Sequence, residues 1–91
     1  MIELGLIEDN YILRNNYEEF FNRDPLFKIV FSVNDLNALQ SLSFTIQPQI
    51  ILLDLLLPSG NSVAYISKIK QFFPSASVVI LSSVIDEYIS K

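Results

Sequence analysis

Neither cysteine nor histidine occurs in this 91-residue sequence. The first absence removes disulfides, thiolate nucleophiles and zinc–thiolate sites. The second removes the imidazole base, phosphohistidine and any His-ligated metal. Chemistry in this chain therefore rests on carboxylates, hydroxyls, lysines and backbone groups. Charge is also scarce, at 18% of residues, and six scattered Lys and Arg face ten acids for a net charge of −4. Nucleic-acid binding needs clustered basic side chains that neutralise phosphates, so this segment is not expected to touch DNA or RNA. No apolar run reaches the length of a membrane span, because Asp54 and Pro58 interrupt the longest. The start, Met1-Ile2-Glu3, lacks the basic region of a secretion signal. A cytoplasmic protein without a membrane partner is the default expectation.

What the sequence has in quantity is apolar residues, 51% of the total. In a chain long enough for one small domain, taken as 1–91, that share favours strands covered on both faces. The pattern alternates in period. Ile2 to Ile7 reads as a strand that ends at Glu8 and Asp9. Leu13, Tyr17, Phe20 and Phe21 then share one helical face, which makes the aromatic stripe core, with Asp9 or Asn10 as the cap. Asp24-Pro25 stops that helix. Phe27 to Phe31 is a second strand, and Asn34 or Asp35 caps a second helix that turns Leu36, Leu39 and Leu42 inward. Gln49 to Leu53 is a third strand running into Asp54, and Pro58-Ser59-Gly60 is a turn. A third helix presents Val63, Ile66, Ile69 or Lys70, and Phe73, and stops at Pro74. Ser77 to Leu81 is a fourth strand, and Ser83 opens a last helix that reaches Lys91. The order β-α-β-α-β-α-β-α predicts an α/β fold, a doubly wound parallel sheet with helices on both faces.

In such a sheet, function gathers beyond the carboxyl ends of the strands. Three strands end there in polar groups: Glu8 and Asp9, then Asp54, then Ser82 and Ser83. Ser32 ends the second strand in a flanking position. Taken alone, Glu8-Asp9 reads equally well as a helix cap and the two serines read more readily as caps, whereas the apolar run makes an ordinary turn the lesser reading of Asp54. Their joint occurrence at successive strand ends is what points to a site. Asp54 is a single charge among apolar neighbours, Ile50 to Leu57, and an ionised carboxylate buried without a partner is costly. Two more acids nearby add repulsion. A divalent cation relieves both, and Mg²⁺ keeps a position open for a phosphate oxygen. A carboxylate held in that way can attack phosphorus.

The segments Leu6-Ile7-Glu8-Asp9-Asn10, Ile50 to Pro58 and Val78 to Ser83 resemble the receiver domains of bacterial response regulators. The resemblance spans essentially the whole chain and is most specific from Asp54 to Pro58. It implies a flavodoxin-like (βα)5 fold of which (βα)4 is present, with strand order 2-1-3-4. It also implies that Asp54 accepts a phosphoryl group from a histidine kinase. Asp9, Asp54 and the backbone carbonyl of Leu56 would hold Mg²⁺, with Glu8 acting through a bound water. Ser82 matches the switch hydroxyl, and Ser83 the small residue beside it. Such a chain is a switch that assists its own phosphoryl transfer, not an enzyme with turnover, and its expected output is a DNA-binding domain beyond Lys91. Ser62 departs from the family's glycine eight residues after the phospho-acceptor. The expected fifth strand, its lysine and its helix are absent from the sequence, so the chain reads as truncated. Its fourth strand is then an apolar edge open to a homodimer or a strand-swapped oligomer. Two other readings compete: a receiver-like interaction module that is not phosphorylated, and a haloacid-dehalogenase-type phosphatase. The latter family carries a second Asp where Leu56 stands.

Overall fold

Alternating periods of two and 3.6 residues produce alternating strands and helices. In the computed structural model, which describes residues 1–54 and 62–81, they run β1 (Ile2–Glu8), α1 (Tyr11–Asn22), β2 (Phe27–Val33), α2 (Leu39–Ser43), β3 (Ile50–Asp54), α3 (Ser62–Phe72) and β4 (Ser77–Ile80). The four strands form one parallel sheet in the order β2-β1-β3-β4, which is the order the resemblance implied. The expected Pro58-Ser59-Gly60 turn and the helix opening at Ser83 lie outside the described residues.

The sheet is covered on both sides, as the apolar composition suggested. On one face Leu4, Leu6 and Leu52 meet Tyr17 and Phe21 of α1, joined by Phe27 and Ile29. On the other, Ile7, Ile51 and Leu53 pack with Phe31, Leu39, Ile69 and Phe73. Burying each large apolar side chain is worth about 1.5–3 kcal/mol, so the two half-cores are the main source of stability. Between Leu4 and Gly5 the pairing with β2 shifts register: Leu4 faces Ile29, whereas Gly5 faces Phe31. The extra residue, Val30, leaves the Phe31 ring lying directly over Gly5, where an added Cβ would sit 2.3 Å from the ring's Cζ. Phe31 in turn stacks on Phe73, with ring centroids 5.6 Å apart.

Two sequence expectations need correction here. Phe20 and Leu13 are 67% and 43% exposed, so the aromatic stripe is only partly core. Helix α1 meets the sheet along the line of Tyr17 and Phe21, and Phe20 lies about 100° around the helix from its neighbour. The second helix is short. The Asp35 side chain accepts from the Asn37 amide at 2.8 Å, a local turn that competes with helix formation. Regular helix begins only at Leu39, behind Ala38, which makes no side-chain cap; of the expected face, Leu39 is fully buried while Leu36 and Leu42 pack beside the core. Of the two candidates for the inner face of α3, Ile69 is fully buried, whereas Lys70 is exposed and its ammonium donates to the Ala76 carbonyl.

The cap of α1 is Asn10. Its Oδ1 accepts from the amides of Ile12 and Leu13, both at 3.0 Å. Asn10→Ala leaves those two donors without a protein partner and is expected to destabilise the fold by about 1 kcal/mol, read as a lower urea midpoint at unchanged slope. An unchanged midpoint would show that the cap contributes nothing.

Candidate functional site

The register between β1 and β3 places Glu8 directly opposite Asp54. Because side chains alternate along a strand, both point to the sheet face that carries α1, the face of Leu4, Leu6 and Leu52. Asp9 follows at once on the exposed side of the strand end. The expected meeting of carboxylates at the sheet's rim therefore has a definite centre in Glu8, whose carboxyl faces both Asp54 and Asp9.

The burden of burial falls on Glu8 and not on Asp54, contrary to the expectation from the apolar run. Glu8 is 1% exposed. Its Oε2 accepts from the Asn10 amide at 2.9 Å, but its Oε1 is buried with no hydrogen-bond partner among the described residues. Burial is the largest reason that its carboxyl is pushed up from 4.5 to about 7. The Asn10 amide pulls the other way, and the neighbouring Asp54 and Asp9 add to the rise. Asp54 ends β3 half-buried, and its Oδ2 accepts from the Tyr17 hydroxyl at 2.8 Å. Burial, then the hydrogen bond and charge of Asp54, then the charge of Glu8, push the Tyr17 hydroxyl up to about 12. It therefore remains a donor at ordinary pH.

Helix α1 is tied to this corner by more than its cap. The Arg14 guanidinium donates to the Glu8 carbonyl at 3.1 Å and lies 3.9 Å from Glu18. Glu18 also accepts from the Ser32 hydroxyl at 2.5 Å. Ser32 thus flanks the site as anticipated, but its hydroxyl binds α1 to β2 and is taken up by Glu18. Helical spacing makes Tyr17 core alone. Its ring does pack in the core, and its hydroxyl is the part that periodicity could not reveal. The only available signal was its position two helical turns after Asp9, on the face that covers the strand ends.

The donor set suits a hard divalent cation: clustered oxygens, an excess of negative charge and a buried carboxyl oxygen with no hydrogen-bond donor among the described residues. Among the described residues, however, no three acidic side chains are arranged so as to hold a metal ion by themselves. Leu56, expected to add its carbonyl, lies outside the described residues, as do Ser82 and Ser83. Ser62, the departure from glycine, opens α3. No helix among the described residues is long and apolar enough to cross a membrane.

Comparison with known proteins places this geometry in context. No family model matches the chain. A protein-glutamate methylesterase/protein-glutamine glutaminase from Anaeromyxobacter dehalogenans is 25% identical over 81 residues, covering 89% of this chain and 23% of that protein. Among solved structures, RcsB of Salmonella enterica serovar Typhimurium, bound to promoter rprA in the presence of the phosphomimetic BeF3⁻, superposes with a TM-score of 0.75. The identity is 21%, covering 89% of this chain and 42% of that one. A LuxR-family two-component response regulator from Aurantimonas gives a TM-score of 0.71 at 25% identity, covering 88% of this chain and 57% of that one. The chain spans about a quarter of the length of the methylesterase relatives it matches.

Proposed function

We propose that this chain, a receiver domain of the response-regulator type by its fold and its similarities, is the phospho-accepting switch of a two-component system. The Asp54 carboxylate attacks the phosphorus of a histidine kinase's phosphohistidine. An oxygen–phosphorus bond forms, the nitrogen–phosphorus bond breaks, and the released imidazole recovers its proton from solvent. Asp9, Asp54 and the Leu56 carbonyl are the groups to hold Mg²⁺, with Glu8 reaching it through water. When bound, the cation neutralises the approaching phosphoryl oxygens and the carboxylates beside them. Ser82 is the hydroxyl to meet the new phosphoryl group, with Ser83 leaving room beside it. The phosphoryl group adds about −1.5 to −2 charge, which is the signal passed to an output domain. DNA binding is the proposed output, because the RcsB neighbour is bound to a promoter in the presence of a phosphomimetic. The segment's own charge of −4 leaves that contact to another part of the protein. With Val79 and Ile80 of β4 about two-fifths exposed, strand pairing with a second copy is a proposed route to a homodimer.

The observation that carries this reading is the buried Glu8 oxygen without a partner among the described residues, on a carboxyl that Asp54 and Asp9 both act upon. Such an arrangement is costly in a purely structural corner and useful beside a cation. Incubating the full chain with Mg²⁺ and acetyl phosphate is expected to add the mass of one phosphoryl group, labile to hydroxylamine and absent from Asp54→Asn. A wild-type chain that stays unmodified would favour an interaction module that never takes phosphate.

A further inference from the structure

A phenol aimed at the proposed phospho-acceptor is not required by the transfer just described. The Tyr17 hydroxyl donates to Asp54 Oδ2 at 2.8 Å, and little about it is adjustable. Its ring is packed against the Leu4, Leu6 and Leu52 cluster. Its helix is pinned to the end of β1 at both Asn10 and Arg14. We infer that Tyr17 is a positioning residue that sets how readily Asp54 gains and loses its phosphoryl group, and this inference rests on the phosphorylation reading of the site.

The argument follows the charge. As a carboxylate, Asp54 spreads its negative charge over two oxygens, and the Tyr17 bond to Oδ2 is then charge-assisted. When Oδ1 bonds to phosphorus, Oδ2 becomes the neutral carbonyl oxygen of a mixed anhydride. A hydrogen bond to a neutral acceptor is roughly half as strong as one to an ionised acceptor. Tyr17 therefore stabilises the unphosphorylated carboxylate more than the acyl phosphate and slows the forward transfer. Hydrolysis runs the balance backwards. Water's oxygen bonds to phosphorus, its proton passes to solvent, and the Oδ1–phosphorus electron pair returns to the carboxylate as inorganic phosphate leaves. The hydroxyl stabilises that returning charge and hastens the loss. With Oδ2 held by Tyr17, Oδ1 is the oxygen that this phenol leaves for the bond to phosphorus.

The test uses Tyr17→Phe, which removes the hydroxyl and keeps the ring. With Mg²⁺ and limiting acetyl phosphate, the full-chain variant is expected to charge faster and discharge more slowly than wild type. The two effects together should raise the ratio of the rates roughly fivefold to tenfold. A residue of merely structural importance would do the opposite, slowing transfer and shortening the lifetime as the site loosens. Without Mg²⁺ or phosphodonor, urea unfolding of Tyr17→Phe, Asp54→Ala and the double variant is expected to be non-additive. The coupling should reach roughly threefold or more in the folding equilibrium constant. If wild type takes phosphate and Tyr17→Phe matches it in both rates, the role of Tyr17 is overturned while the site's function stands. If wild type takes none, the role falls together with that function, and the unfolding cycle then reports only whether the bond exists.

Discussion

Glu8→Gln is expected to stabilise the metal-free chain by up to about 3 kcal/mol at pH 8 and to change its stability little at pH 4. The Glu8 carboxyl is raised from 4.5 to about 7, and that difference corresponds to about 3 kcal/mol between its two protonation states. The sign follows from proton binding. The folded state holds the Glu8 proton more tightly than the unfolded chain, so Glu8 costs nothing below pH 4.5, where both states carry the proton. As pH rises from 4.5 through 7 the unfolded chain gives up its proton freely, while the folded chain must ionise a group that is 1% exposed. Stability is therefore lost over that window and stays lost above it. Gln is neutral throughout, and its carbonyl oxygen can still accept from the Asn10 amide. On the proposed reading, Mg²⁺ at pH 8 restores the loss in wild type and does much less for the variant, and chelation reverses the effect. Urea midpoints of the two proteins, measured from pH 4 to 8 with and without Mg²⁺, decide the matter. Parallel curves would mean that Glu8 is not under the strain assigned to it.

Gly5→Ala should cost about 3 kcal/mol, at the upper end of what overpacking a core usually costs. The new methyl carbon would meet the Phe31 ring at 2.3–2.8 Å along its far edge. The far end of a side chain can often swing clear, but this one is confined. Phe31 is 7% exposed and stacked on Phe73, which is fully buried. Moving the ring therefore means moving a second ring and the α3 side chains around it. Shrinking the obstacle is expected to recover part of the loss, so Gly5→Ala combined with Phe31→Leu should cost less than the two single changes added together. Strict additivity in urea unfolding would show that the close approach is not the cause.

The contrast between these two residues shows what could be read from the sequence. Glu8 announced itself as an acid at the end of an apolar strand, and its neighbours Asp9 and Asp54 stood at matching strand ends. Period and punctuation were enough to place all three on one rim. Gly5 carried no such mark. Its constraint comes from one extra residue in β2, Val30, and a shift of register between strands more than twenty residues apart leaves no local pattern. Tyr17 lies between these cases. Its spacing with Phe21 correctly made it core, yet spacing speaks of a residue's face and says nothing of what its tip can reach. Phe20 and the second helix depart from the sequence pattern for a related reason. Apolar residues at helical intervals do not reveal how wide a stripe the sheet covers, or that the Asp35 turn would delay the helix to Leu39.

The strand order carries a cost during synthesis. Of the four strands β1 is made before the others, and both of its lateral partners, β2 and β3, come later in the chain. Until Ile50–Asp54 has emerged, Leu4, Leu6 and Ile7 have at best a one-sided shelter. Pairing between distant parallel segments is also slow to form. A nascent chain ending short of residue 54 therefore presents these apolar side chains to chaperones, and co-translational capture should be strongest at those lengths.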